Sequence, residues 1–351
     1  MVNEMTTNTY KVYDALVDRV HSVTVAHPPH VALIARAQVK TDKRDALVLA
    51  QLLAAGLLTS IWIPPQEVRD LRALVAQRVK MIRLVNQAKN RLHAVLHRYS
   101  FPLPEKGLFT PDSRHWWADL PLTPLEHTQV QSDLHTLDFA KGQVAHLEIS
   151  MAKIAAQDDR MPLLVQLPGI RMVNAITILA AVGDIDRFPS AKKLVGYAGL
   201  GARVHLSGQT RRSGKITKAG RKDLRSTMVR AAFSAAQSHP FWKMEFKRLE
   251  PRLGRNKTVV AIARRMLVVV WHVLSKSELD RQAVPERVAR DLMVFTMQIG
   301  KENRPGGWNT KQFVRYHLDR LGIGEEIEHV QWSPTRKIVL PPSDAVPEPI
   351  G

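Results

Sequence analysis

Two short stretches carry residue types and spacings suited to phosphoryl chemistry. Leu206 to Arg225 holds seven Lys/Arg and four hydroxyl residues around three glycines, opposed only by Asp223. Glycines let a main chain approach a polyphosphate backbone, and cations neutralise it. Arg211, Arg212, Lys215, Lys218, Arg221, Lys222 and Arg225 are the phosphate-binding candidates, and Ser207 stands at the entrance, where a hydroxyl could attack a phosphodiester. A solvated basic loop whose serine shapes a turn fits the same residues. The second stretch, Lys40-Thr41-Asp42-Lys43-Arg44-Asp45-Ala46, sets two carboxylates three residues apart at a helix start, on one face. Such hard oxygen ligands suit Mg²⁺ or Mn²⁺. Aspartate is also favoured in the first turn of any helix on dipole grounds, so these residues leave both readings open.

The composition narrows the partner. Lys and Arg number 51 and Asp and Glu 32, a net charge of +19 over 351 residues, which points to a polyanion. A hydrophobic content of 45% supports packed cores rather than a disordered tail. The most apolar stretch, Val259 to Leu274, is interrupted by Arg264 and Arg265 and reads as a buried helix, which argues against a membrane partner. The absence of cysteine and of a basic-then-apolar leader fits a cytosolic location.

Around these stretches the chain changes character several times. A helix is expected over 10–20, a strand over 22–26, a helix capped by Thr41 over 41–58 and a strand over 59–63, an alternation that implies a parallel or mixed sheet. Val68, Leu71, Val75, Ile82, Val85, Leu92 and Leu96 follow three- and four-residue steps, with Arg78 and Lys89 as exceptions. This coiled-coil seam pairs with a second helix over 125–156, and fits an intramolecular hairpin and an intermolecular contact alike. Leu167-Pro168-Gly169-Ile170 between apolar helices has the pattern of a helix-hairpin-helix, whose Gly169 turn would aim N–H groups at a phosphate. A purely structural Pro-Gly turn reads the same way. Beyond Ser275 the sequence is polar and expected to be irregular, with a mobile end from Leu340.

Lys40-Thr41-Asp42-Lys43-Arg44-Asp45-Ala46, Leu167-Pro168-Gly169-Ile170, Tyr197-Ala198-Gly199-Leu200, Ser207-Gly208 and Ile216-Thr217-Lys218-Ala219-Gly220 occur in an order that resembles the DEDD transposases of the insertion sequence 110/1111 family, the bridge-RNA-guided DNA recombinases. The resemblance runs from about Val2 to about Lys276. It implies an α/β plus α fold: a RuvC-like, RNase H-type α/β domain over 1–65, coiled-coil helices over 66–160, a mainly helical transposase domain with the helix-hairpin-helix and the serine loop over 161–276, and a polar extension over 277–351.

By the same resemblance Ser207 is the nucleophile that becomes covalently joined to DNA. Glu4, Asp42 and Asp45 are three of four acidic ligands for Mg²⁺ or Mn²⁺. DNA and a guide RNA are the partners, and a homo-oligomer, dimer or tetramer, pairs the metal site of one subunit with the serine of another. The family's first aspartate lies upstream of the residue matched by Glu4, so the resemblance implies an amino-terminally shortened reading frame. Glu4-Met5-Thr6-Thr7 also departs from the family's Glu-Ala-Thr-Gly, and Ala202 stands where it has proline. Two other readings are a catalytically inactive DNA-binding remnant and a structure-specific DNA nuclease, which would cut without a serine-linked intermediate.

Overall fold

The computed structural model describes residues 1–34, 41–104, 107–207 and 210–346, with side chains left undescribed at 30, 33, 34, 204–207 and 210–213. The chain divides into two compact units, Met1–Arg69 and Asp70–Gly351. In the first unit β1 (Val2–Glu4) pairs in parallel with β2 (Thr24–Ala26) across α1 (Thr9–Leu16), in register Glu4 to Ala26. Then come α2 (Pro28–Ile34) and α3 (Asp42–Ala54). The Thr41 hydroxyl caps α3 by accepting from the Arg44 N–H at 3.3 Å, as the sequence predicts. The predicted strand over 59–63 reduces to one bridge between Ala26 and Ser60, because Pro64 and Pro65 lack the N–H groups that would extend the pairing. Arg69 closes the unit: its Nε donates to the Pro64 carbonyl at 2.6 Å, its guanidinium pairs with Asp14 at 2.6 Å, and it lies over the Tyr10 ring.

The second unit is almost wholly helical. After α4 (Gln66–Tyr99) and the short α5 (Ser113–Ala118), α6 (Pro124–Gln157) runs back antiparallel. Ion pairs Arg78–Glu148, Arg91–Asp133 and Arg98–Glu126 step in opposite directions along α4 and α6. The seam is therefore an intramolecular hairpin. Its register also corrects the heptad reading. A strict repeat would bury Arg78 and Lys89; instead Met81 and Ala88 face inward, Arg78 reaches Glu148, and Lys89 lies over the Phe109 ring at 5.2 Å. Burying either cation unpaired would cost more than the repeat gains. Val85, Leu92, Leu134 and Leu137 fill the core of this arm, closed by Trp117, whose indole N–H donates to the Leu108 carbonyl at 2.8 Å.

The main core gathers α7 (Arg160–Val165), α8 (Met172–Val182), α9 (Ala191–Tyr197), α10 (Lys222–Ser238), α11 (Pro240–Leu253) and α12 (Arg255–Lys276), and the antiparallel hairpin of β3 (Ala202–Ser207) and β4 (Thr210–Ile216) between α9 and α10 meets it through Ile216. Among the described residues α12 is the one helix long and apolar enough to span a membrane, and half of its apolar window is buried in this core.

The region past Ser275 is not irregular. It forms α13 (Pro285–Ile299), α14 (Thr310–Arg320) and a hairpin of β5 (His329–Ser333) with β6 (Arg336–Val339), and Leu292, Phe295, Phe313 and Val330 join the main core. Leu340 and Val346 are buried too, so the expected mobility does not hold up to residue 346; residues 347–351 lie outside the described set. The period-3.6 apolar positions of α13 and α14 are diluted by Arg, Lys and Gln on the outer faces, which is why the composition looked like an extension. Arg315 is the tie. Almost fully buried, it donates to the carbonyls of Gly324, Ile327 at 2.6 Å and Pro341 at 2.7 Å.

His317, buried against Phe313 and Tyr316, is held neutral, its pKa pushed down to about 3, first by burial and then by Arg320. The folded pKa lies below the unfolded value of 6.5, so its contribution is fully present above pH 6.5 and is lost as pH falls toward 3. Wild type should lose about 1.4 kcal/mol per pH unit through this window relative to His317→Leu, measured by denaturant unfolding between pH 7 and 4.5. Parallel pH profiles for the two proteins would refute the assignment.

Candidate active site

Ser207 is the last residue of β3 and lies opposite Thr210, with Leu206 opposite Arg211 and His205 opposite Arg212. The basic stretch expected as a loop is therefore a hairpin at its start, with two arginine positions on the strand facing the serine. The side chains of Ser207, Arg211 and Arg212 lie outside the described set, as do residues 208 and 209 at the tip.

The root of the hairpin is fixed backbone to backbone. The Tyr197-Ala198-Gly199 end of α9 meets the segment from Thr217 to Arg221: Thr217 N–H donates to the Gly201 carbonyl at 2.8 Å, Lys218 N–H to Gly199 at 3.1 Å and Arg221 N–H to Tyr197 at 2.9 Å. Such an approach needs glycine. Gly220 has φ +128°, and a Cβ there would sit 2.2 Å from the Tyr197 carbonyl oxygen; at Gly199, φ +68°, it would sit 2.7 Å from that of Ala219.

Tyr197 is anchored in turn. Its hydroxyl donates to the Ala181 carbonyl at 3.3 Å, and the Arg187 guanidinium stacks on its ring at 4.5 Å. Arg187 and Arg72 donate to the carbonyls of Val182 and Ala180 at 2.8 and 2.7 Å, placing two cations at the negative end of α8. Burial pulls the Arg187 pKa below its ordinary value.

In the first unit Glu4 ends β1, and Asp42 and Asp45 occupy the first turn of α3, which lies beside β1. Asp42 is exposed and Asp45 half-buried. The two aspartates offer a hard cation a pair of ligands on one helix face. Glu4 does not complete a cluster: among the described residues no three Asp, Glu, His or Cys side chains stand close enough to share one ion. Two of these carboxylates ride on a helix and the third on β1, which pairs with β2.

Comparison with known proteins matches these two regions separately. A model described as "Transposase", of DEDD type, covers residues 1–101, with Glu4 and both aspartates. A model described as "Transposase IS116/IS110/IS902 family" covers 161–247, with the serine hairpin and its clamp. The chain belongs to this transposase family. A putative transposase of Sinorhizobium fredii is 26% identical over 295 residues, 84% of this chain and 73% of that protein. The pilin gene-inverting protein of Moraxella bovis is 27% identical over 265 residues, 73% and 74% of the two chains. The transposase for insertion sequence element IS1111A of Coxiella burnetii is 23% identical over 269 residues, 72% and 71%. The protein is thus a transposase enzyme acting on DNA, and its DEDD-type family implies dependence on a divalent metal.

The seven cations of the transposase hairpin region divide by partner. Arg225 donates to the Ala198 carbonyl at 2.9 Å and Arg221 pairs with Asp223 through Nε at 3.0 Å, so both are spent on the clamp. Lys215, Lys218 and Lys222 are exposed and make no ion pair among the described residues. Lys218 takes a left-handed φ of +55° although it has a side chain. Gly169 also has a packing explanation. At φ +78° its missing Cβ would lie 2.4 Å from the Ala231 carbonyl oxygen, so the turn between α7 and α8 is pressed onto α10. The turn is braced by α13: Arg171 pairs with Asp291 at 2.9 Å, and burial raises the Asp291 pKa more than Arg171 lowers it. Sequence reasoning missed Arg72, Arg187 and Asp291, because a cation or acid aimed at backbone or at a distant helix has no local spacing to betray it.

Gly220→Ala should destabilise the transposase by roughly 2–5 kcal/mol, combining backbone strain with overpacking. Gly196→Ala, at an exposed position of α9 with open space around it, should be neutral or stabilise by about 0.5–1 kcal/mol. Thermal unfolding of both variants checks this, and equal melting points would contradict it.

Proposed function

We propose that the transposase cuts and rejoins the DNA of an insertion sequence through Ser207. The Ser207 hydroxyl gives up its proton as its oxygen bonds to phosphorus, the ester bond to the leaving strand breaks, and that strand's sugar oxygen takes up a proton. Rejoining reverses the step: a sugar hydroxyl of the incoming strand attacks the serine-linked phosphate and releases Ser207. Lys215, Lys218 and Lys222, with Arg211 and Arg212, neutralise the flanking phosphates. The observation that carries the reading is the place of Ser207 at the end of a strand whose root is locked, facing a strand with two arginines.

Asp42 and Asp45 are the ligands we assign to Mg²⁺ or Mn²⁺; bound there, the ion would stabilise developing negative charge. In this reading the first unit is a RuvC-like domain, and the acidic residues of one subunit serve the serine of another. A guide RNA selects the DNA, and the enzyme works in the cytoplasm, at the nucleoid.

Incubation of the full chain with element-end DNA and Mg²⁺ should yield a protein–DNA adduct stable on a denaturing gel. Ser207→Ala should lower its yield by at least about a thousandfold while retaining DNA binding. An adduct persisting in Ser207→Ala overturns the assignment. Cleavage without adduct would indicate a nuclease instead, and binding without cleavage a remnant.

A further inference from the structure

The solvent side of α10 carries a pattern that starts at Lys222, the last of the lysines assigned to the serine chemistry, and runs beyond it. Lys222, Ser226 and Arg230 follow one another at four-residue steps, all exposed, and Phe233 continues the row with 42% of its surface uncovered. Arg255, the first residue of α12, stands over the Phe233 ring with its guanidinium 5.7 Å from the centroid. The one acid in α10, Asp223, is occupied by Arg221. Residues four apart lie on one helix face, so cations and hydroxyl form a strip that ends in an aromatic ring with a second cation beside it. From Lys222 to Phe233 the strip spans about 17 Å at 1.5 Å per residue, long enough to follow a short run of nucleotides.

An uncovered ring alone would be an ordinary surface residue. Its neighbours decide the matter. Lys222 begins where the clamp ends, so the strip leads directly away from the serine hairpin. A ring face next to guanidinium and ammonium groups is the pairing that unpaired nucleic acid needs: phosphates meet the cations and a base stacks on the ring.

We propose that this face of α10 binds single-stranded DNA, with an unpaired base stacked on Phe233 and its phosphates on Lys222, Arg230 and Arg255. The proposal rests on the reading that the hairpin works on DNA, since strand exchange leaves unpaired bases beside the cut. Phe233 is a positioning residue here, outside the bond-making steps.

Fluorescence anisotropy with the full chain and a labelled oligonucleotide, single-stranded or annealed to its complement, tests it. Phe233→Ala and Phe233→Leu should each weaken single-strand binding about tenfold while leaving duplex binding within about twofold, and Phe233→Trp should bind as well as wild type or better. Circular dichroism melting of the leucine and tryptophan variants confirms that the fold survives. Wild-type single-strand affinity in Phe233→Leu, or an equal loss on duplex, overturns the proposal. So does a ring dependence confined to single-stranded RNA, or a change in oligomeric state in place of a change in DNA affinity. The adduct assay separates the two readings: ring-dependent single-strand binding without adduct formation leaves this site standing and removes the Ser207 assignment, and the converse result does the reverse.

Discussion

The passage of Gly220 against the end of α9 is the organising constraint of the candidate site. Gly220 lets the chain pass against the Tyr197 carbonyl at a distance no side chain tolerates, and three N–H bonds tie the segment after β4 to the end of α9. A two-stranded hairpin has little stability of its own in water. Joined to a buried helix end, it inherits the stiffness of the core. The tie continues inward through Tyr197 to Arg187, Arg72 and the end of α8, and outward through Arg225, which holds the Ala198 carbonyl from α10. The serine thus stands on a strand whose base is set by four helices.

Charge is divided by the same logic. A net charge of +19 suggests one undifferentiated basic surface, yet many of the cations are structural. Arg78, Arg91 and Arg98 hold the two long helices of the arm together, and Arg315 stitches the carboxy-terminal hairpin to its helix. What remains at the site is a set of exposed lysines beside the serine hairpin, free to exchange water and salt ions for phosphates.

Much of this was legible in the sequence, for reasons that differ by element. The threonine cap of α3, the Pro-Gly turn after α7 and the two long helices announce themselves through local chemistry and period. The motifs Tyr197-Ala198-Gly199-Leu200 and Thr217-Lys218-Ala219-Gly220 were visible as strings, but that they are two halves of one contact was not, since spacing along the chain says nothing about which glycine faces which carbonyl. Arg221 and Arg225 looked like phosphate ligands for the same reason. The heptad failed at Met81 and Ala88 because a helix hairpin within one chain need not keep a 3.5-residue repeat when two cations obstruct it. Residues 285–346 were misjudged because a minority of apolar side chains, spaced for helices, is enough to join a core already built by others.

The central claim is that the backbone clamp aims the serine hairpin, and the most direct measurement combines folding with chemistry. Adduct formation on element-end DNA should be followed for wild type, Gly220→Ala and Gly196→Ala at a temperature where all three retain their helical circular dichroism, with the DNA-linked peptide identified by mass spectrometry. The account predicts attachment at Ser207 in wild type and Gly196→Ala, and a rate at least about a hundredfold lower in Gly220→Ala, as expected when a reacting group is displaced by an ångström. Attachment at Ser207 at the wild-type rate in folded Gly220→Ala would contradict it.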